Sequence, residues 1–262
     1  MIRAKKSLGQ NFLIDQNIID KIISSVKIGN KSILEIGPGT GNLTKNILRN
    51  NPKKILVIEK DNSLAELLKK DIGSKIKIIN EDILEINENS LDTDILTVFG
   101  NLPYNISTEI LCKWILNIKK KNFWFDYLIL MFQKEVADRI IAKFNTKDFG
   151  RLSILANWKL DIKKICDVKP SSFSPKPKVD STVLLLKPKL NFFPLNDSKN
   201  LEKLTRIFFM HRRKMLKKPY NYLFNGNLNA ANKLNIDLSL RPQNLDYETY
   251  YKLTEEYEKL CG

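Results

Sequence analysis

A chain of 262 residues with 43% hydrophobic and 28% charged side chains can bury a large core and a second, smaller unit, which excludes a disordered or low-complexity protein. Its 44 Lys+Arg against 29 Asp+Glu leave a net charge of +15, so a polyanion, nucleic acid before an anionic membrane, is the expected partner. A lone histidine, His211, and three scattered cysteines, Cys112, Cys166 and Cys261, argue against a histidine dyad, a metal centre and a disulfide framework.

Met1 to Asn11 is charged and lacks the apolar centre of a secretory signal. Apolar runs such as Tyr127 to Phe132 are too short to span a bilayer. The expectation is a cytoplasmic protein with no membrane partner and no metal. Gly9-Gln10-Asn11 reads as a turn, and Asp15 as the cap of a helix carrying Ile18, Ile19, Ile22, Ile23 and Val26 at helical spacing. Ser32 to Ile36 is a buried type of strand. It runs into Gly37-Pro38-Gly39-Thr40-Gly41 and a helix with Leu43, Ile47 and Leu48, which is how a nucleotide-binding βαβ unit begins. The spacing is Gly-x-Gly-x-Gly rather than the Gly-x-Gly-x-x-Gly of dinucleotide enzymes, which disfavours a dehydrogenase.

Lys54 to Glu59 is the next strand, and Glu59 lies about 20 residues past the glycines, where an acid can accept both hydroxyls of a ribose. Lys75 to Ile79 is a third strand, followed by Asp82, whose carboxylate could receive an adenine amine. Asp94 to Phe99 is a fourth. Gly100 is expected to stop it before Asn101-Leu102-Pro103-Tyr104, and Ser107 or Thr108 opens a helix with Ile110, Leu111, Trp114, Ile115 and Ile118. Asn101 offers a carboxamide, Leu102 a carbonyl and Tyr104 a ring. Two acceptors and an aromatic face suit a planar exocyclic amine such as N6 of adenine. A Pro-containing turn that merely carries Asn and Tyr remains the plainer alternative.

Tyr127 to Phe132, Lys159 to Val168 and Thr182 to Leu186 read as further strands. Between the last two, Pro170 to Lys178 is a proline-stiffened loop. Phe173 in it is expected either to stand exposed beside Lys176 and Lys178, ready to stack on a base next to phosphate contacts, or to fold back into the core. Lys187 to Asp197 is the expected linker, dividing residues 1–188 from a helical unit of residues 189–262. There Leu201, Leu204, Ile207 and Phe208 share one helix face, and Tyr250, Leu253, Tyr257 and Leu260 another. The run His211 to Lys218, with Arg212, Arg213 and Lys214, is a candidate for phosphate contacts.

The chain resembles the ribosomal RNA adenine N6,N6-dimethyltransferase family over nearly its whole length. Six segments carry the likeness in order: Ser7 to Leu13, Glu35-Ile-Gly-Pro-Gly-Thr-Gly41, Asn101-Leu-Pro-Tyr104, Gln133-Lys-Glu-Val136, Phe173 to Ser181 and Arg212-Arg-Lys214. Phe149 stands where Tyr is expected before Gly150, and Met215 where Thr is common. The resemblance implies an α/β class I methyltransferase domain with a mostly parallel, Rossmann-like sheet and a small all-helical C-terminal domain. It implies S-adenosylmethionine as donor, S-adenosylhomocysteine as product, and dimethylation of two adjacent adenosines near the 3′ end of small-subunit (16S) rRNA. The partner would be the immature small ribosomal subunit, with the enzyme acting as a monomer. By position, Asn11 and Leu13 would line the methionine side of the donor, Gly37 and Gly39 would meet its backbone, Glu59 its ribose and Asp82 its adenine. Asn101 and the Leu102 carbonyl would hold the target N6, with Tyr104 and Phe173 on the faces of the base. A non-catalytic assembly factor on the same fold, a DNA adenine methylase and a resistance-type 23S rRNA methylase are the rival readings.

Overall fold

The computed structural model describes residues 5, 9–92, 94–120 and 123–261; Ser7 and Leu8 of the first family segment lie outside the described residues. Contacts divide the chain into two compact units. The first comprises residues 1–111, 119–137 and 161–188, and the second residues 112–118, 138–160 and 189–262. The helical unit therefore recruits two stretches from the middle of the chain that a single cut at residue 188 leaves with the other half.

The first unit is built on a seven-stranded sheet. Its strands are β2 (Ser32–Ile36), β3 (Lys54–Ile58), β4 (Lys77–Ile79), β5 (Leu96–Asn101), β6 (Phe125–Gln133), β7 (Leu160–Val168) and β9 (Ser181–Pro188), in the order β4-β3-β2-β5-β6-β9-β7. The pairs β3·β4, β2·β3, β2·β5 and β5·β6 are parallel, and β6·β9 is antiparallel. A parallel sheet covered on both faces needs strands that are apolar on both sides. Accordingly every residue of β2 is buried, and Val98 and Phe99 of β5 are wholly inaccessible. A short antiparallel pair joins β1 (Phe12–Leu13) to β8 (Phe173–Ser174). Around the strands run α1 (Gln16–Ser24), α2 (Asn42–Leu48), α3 (Asn62–Ile72), α4 (Ser107–Asn117) and α5 (Lys134–Ile140). Asp15 and Asp61 cap α1 and α3 by accepting from backbone amides of the first turn.

Several strand ends move by one or two residues from the sequence expectation. Gly100 continues β5 rather than ending it, level with Ile36 of β2 and Leu130 of β6; a Cβ there would meet Leu102 Cδ2 at 2.9 Å and Leu130 Cδ2 at 3.1 Å. Lys159 closes the helix α6 (Arg151–Lys159), and β7 starts one residue later.

The second unit packs α6, α7 (Ser198–Met210), α8 (Lys217–Phe224), α9 (Asn229–Lys233) and α10 (Tyr247–Cys261) around Trp158, Leu204, Phe208, Tyr220, Phe224 and Tyr250. Lys159 lies buried in it. Its Nζ donates to the Ile118 carbonyl at 2.9 Å and to Ser198 Oγ at 3.0 Å, and stands 4.1 Å from the Trp158 ring centroid. Burial pushes this amine down to about 8. Among the described residues no helix is long and apolar enough to cross a membrane.

Candidate active site

Sheet register aligns the site. Ile36, the last residue of β2, is level with Ile58 of β3 on one side and Gly100 of β5 on the other, and Ile58 is level with Ile79 of β4. The next residues, Gly37, Glu59, Asn80 and Asn101, therefore emerge in a row from the carboxyl edge. The strand order reverses between β2 and β5, and that switch point is where open α/β sheets bind ligands. A cavity opens there, lined by residues 9–13, by Glu35 to Thr40, by Glu59, by Asp82 and by Asn101 to Ile106. The glycine turn lets the backbone itself form one wall. Gly37 and Gly39 have φ of 64° and 59°, and a Cβ on Gly39 would lie 2.7 Å from Phe12 Cδ1.

The acids on this wall are held in different ways. Glu59 is 6% exposed; Oε2 accepts the Gly39 amide at 3.2 Å and Oε1 the Asp61 amide at 2.9 Å. Burial raises its carboxyl, and those amides oppose the rise. Each oxygen keeps acceptor capacity for a hydroxyl. Asp82 Oδ1 accepts the Leu84 amide at 3.0 Å and Oδ2 pairs with Lys60 at 2.6 Å. Glu35 is different: among the described residues its buried Oε2 has no hydrogen-bond partner, and neither has the buried Oγ1 of Thr44. Desolvation pushes the Glu35 carboxyl up to about 8, and the Glu59 charge adds to the rise. Four strand ends thus offer Glu35, Glu59, Asp82 and Asn101. An unpartnered buried acid among them, ready to ionise beside a cation, matches a ligand that carries positive charge as well as a ribose and an amine. S-adenosylmethionine has all three features, so the residues present fit it.

The opposite wall is the Asn101 turn. Asn101 Nδ2 donates to the Asn11 carbonyl at 2.7 Å, which fixes the amide and leaves Oδ1 unbonded among the described residues. Turning the amide over would set oxygen against oxygen. The Pro103 carbonyl takes the amides of Ile106 and Ser107, whereas no backbone amide among the described residues bonds the Leu102 carbonyl. Two acceptors are therefore left at the cavity. Tyr104 also lines it, its hydroxyl 2.6 Å from Ser181 Oγ. Burial raises that phenol, so it stays a neutral ring.

Residues 1–259 match the ribosomal RNA adenine dimethylase family. The chain belongs to that family. It is 62% identical over 261 residues to a ribosomal RNA small subunit methyltransferase A from Pelagibacter ubique (strain HTCC1062), covering 100% of this chain and 99% of that one. A protein of the same name from Wolbachia sp. subsp. Drosophila simulans (strain wRi) is 41% identical, with 99% and 96% covered. The crystal structure of a dimethyladenosine transferase from Plasmodium falciparum superposes with a TM-score of 0.80 at 29% identity, over 95% of this chain and 98% of that one. The 23S rRNA methyltransferase ErmE superposes at 0.68 with 21% identity, over 95% and 100%, a likeness of fold. This chain is thus an rRNA adenine dimethylase on a class I methyltransferase fold.

At Phe173 the structure decides between the two alternatives the sequence leaves open, in favour of the core. The ring is 1% exposed, pairs through β8 with Leu13, and belongs to the core with Ile19, Ile22, Val168 and Val183. It does not line the cavity. Of the two alternatives the exposed ring is therefore the one that does not hold: Phe173 is a core side chain. The loop offers no apolar neighbours, but β1, distant in sequence, supplies them. Asn11 and Leu13 do line the cavity, and Asn11 contributes the carbonyl that orients Asn101.

The cations also separate. Lys176 and Lys178 are exposed on the loop. In the helical unit Arg213 and Lys214 are exposed, but Arg212 is half-buried: Nε donates to Gln243 at 3.0 Å and an Nη to the Thr146 carbonyl at 3.3 Å. Part of its guanidinium therefore serves the fold. The basic run His211 to Lys218 continues into α8, a helix the sequence reading did not delimit, which carries Lys217, Lys218 and Tyr222 on its outer face, the last 73% exposed. Lys218 and Tyr222 stand four apart, neighbours on a helix surface.

Proposed function

We propose that this dimethylase transfers methyl groups from S-adenosylmethionine to N6 of two adjacent adenosines in a hairpin near the 3′ end of 16S rRNA, within an immature small ribosomal subunit, as a cytoplasmic monomer. The observation that carries the proposal is the pair of unbonded acceptors, Asn101 Oδ1 and the Leu102 carbonyl, beside a cavity walled by acids. The name shared by the relatives supports the small subunit over the large.

When bound, S-adenosylmethionine supplies a methyl group activated on a sulfonium. Glu35 and Glu59 would hold its charge and its ribose, and Asp82 its adenine amine. The nitrogen at N6 of the target is a weak nucleophile, because its lone pair is delocalised into the ring. Asn101 and Leu102 accept its hydrogens and favour a pyramidal amine whose lone pair is free to attack. Positive charge grows on N6 as the new bond forms, and the same two oxygens stabilise it without reorganising. No general base is required of the chain, since the cationic amine then loses its proton to water. Tyr104 gives the base a face to rest on once it has left its stack. Lys176, Lys178, Arg213 and Lys214 would meet phosphates, with Arg212 contributing only what its fold contacts leave.

The test is methyl transfer to undermethylated small subunits, with the modified bases mapped. Two methyl groups on each of two adjacent adenosines are expected, with release of S-adenosylhomocysteine. Transfer to a large-subunit adenine instead would overturn the substrate assignment.

A further inference from the structure

One buried acid near the site plays no part in the chemistry above. Asp61 is 4% exposed and caps α3 through its contact with the Ser63 amide at 2.9 Å. A cap needs one oxygen, yet both oxygens of Asp61 are bonded elsewhere as well. Oδ1 pairs with Lys5 Nζ at 2.9 Å, and Oδ2 accepts from Gln10 Nε2 at 3.0 Å. Gln10 Oε1 in turn accepts the Lys5 amide at 2.7 Å. Burial alone would raise the Asp61 carboxyl, but the bonds from Gln10 and Lys5 outweigh it and hold it below the usual range. Residues 9–13, fastened in this way, form a strap along the cavity wall, and the Asn11 carbonyl in that strap holds the Asn101 amide.

We propose that Asp61 is a positioning residue: it latches the strap to the start of α3 and, through Asn11, keeps Asn101 Oδ1 turned to the target amine. The inference rests on the functional reading just given. It makes the donor side and the acceptor side of the site one mechanical unit. A loosened strap would weaken donor binding and also let the Asn101 amide rotate out of its working orientation.

Asp61→Asn separates the latch from the cap. Asn caps a helix about as well as Asp, but it carries no charge for Lys5, and its amide offers one acceptor where the carboxylate had two. Hydrogen exchange of the full chain without ligand should show amides 9–13 exchanging roughly tenfold faster in Asp61→Asn, while α3 keeps its protection. Calorimetry should show affinity for S-adenosylmethionine falling by about tenfold, the scale of one lost charge-assisted hydrogen bond. With the donor saturating, kcat should still be reduced, an effect that a role in donor binding alone would not produce. Lys5→Met and Gln10→Ala, which leave α3 untouched, should reproduce the faster exchange in part. If α3 itself loses protection in Asp61→Asn, those two variants decide. Unchanged exchange of 9–13 in them, or a normal kcat at saturating donor in Asp61→Asn, overturns the latch. A wild-type protein that binds the donor yet methylates no small subunit would instead overturn the functional reading, and the exchange measurement would still judge the latch.

Discussion

The donor cavity and the α7–α8 segment carry opposite charge by opposite means. In a chain of net charge +15, Glu35, Glu59, Asp61 and Asp82 gather at one sheet edge, buried or bonded to backbone amides. From Lys203 to Ile236 there is no Asp or Glu at all, while Arg206, Arg212, Arg213, Lys214, Lys217, Lys218 and Lys233 follow one another. Arg213, Lys214, Lys217 and Lys218 are exposed and have no ion-pair partner among the described residues. A buried acid without a partner resists ionising, and a small cation beside it favours the charged form. Exposed cations cost little and bind any phosphate backbone, with an affinity set by salt. Burial thus selects a ligand, and exposure collects a polymer.

The largest expected effect comes from Phe173, whose place the sequence leaves open between the core and the exposed loop. With Phe173 in the core, Phe173→Ala should lower unfolding stability by about 3–5 kcal/mol, read by urea denaturation. Phe173→Leu, close in volume, should lose less than about 1.5 kcal/mol and methylate at a near-normal rate per folded molecule. A folded but inactive Leu variant would return Phe173 to the target base. Next is Asn101→Ala. It should leave the fold and donor binding intact and slow methyl transfer by about a hundredfold, the scale of one oriented transition-state hydrogen bond. Asn101→Asp keeps an acceptor but adds a negative charge that favours the cationic donor over the neutral product, so its rate should fall between Ala and Asn. A normal rate for Asn101→Ala would reduce the turn to a structural feature.

Glu35 sharpens the acid side of the comparison through pH. Its folded carboxyl sits at about 8, above the ordinary value of 4.5. The unliganded protein therefore holds a proton that the unfolded chain gives up. The stability due to this group is complete below about 4.5 and is lost as pH rises through about 8. A cationic donor in the cavity favours the ionised form. Binding at neutral pH should then release a proton, and affinity should climb with pH up to about 8. Calorimetry in buffers of different ionisation enthalpy reads that proton. Glu35→Gln should abolish the release and flatten the pH dependence; an unchanged release would put the titrating group elsewhere.

What the sequence revealed divides along the same line. Glu59, Asp82 and Asn101 could be read because strand, turn and spacing are local, and a parallel register turns strand ends into neighbours. Phe173 stays undecided between core and solvent in the sequence, because its neighbours come from β1 and β9, and nothing in Pro170 to Lys178 announces that pairing. Arg212 looks like Arg213 in the sequence; Thr146 and Gln243, far off in the chain, distinguish them. Residues 138–160 join the helical unit for a similar reason. Ile154, Leu155 and Trp158 cannot declare from their own segment which core they will enter.

The smallest effects test the basic surface one charge at a time. Affinity for a small-subunit RNA hairpin should fall linearly with the logarithm of salt, and each phosphate contact should contribute about 0.7 to 0.9 to the slope. Arg213→Ala, Lys214→Ala and Lys218→Ala remove cations that stand in water, so each should flatten the slope by up to that amount and leave thermal stability unchanged. Arg212→Ala should do the reverse, costing stability through the lost bonds to Gln243 and Thr146 while moving the slope less than Arg213→Ala. Tyr222→Ala removes an exposed ring but no charge, and should leave the slope where it is. If Arg212→Ala flattens the slope more than Arg213→Ala, its free nitrogens face the RNA, and exposure is the wrong guide to which cations here meet phosphate.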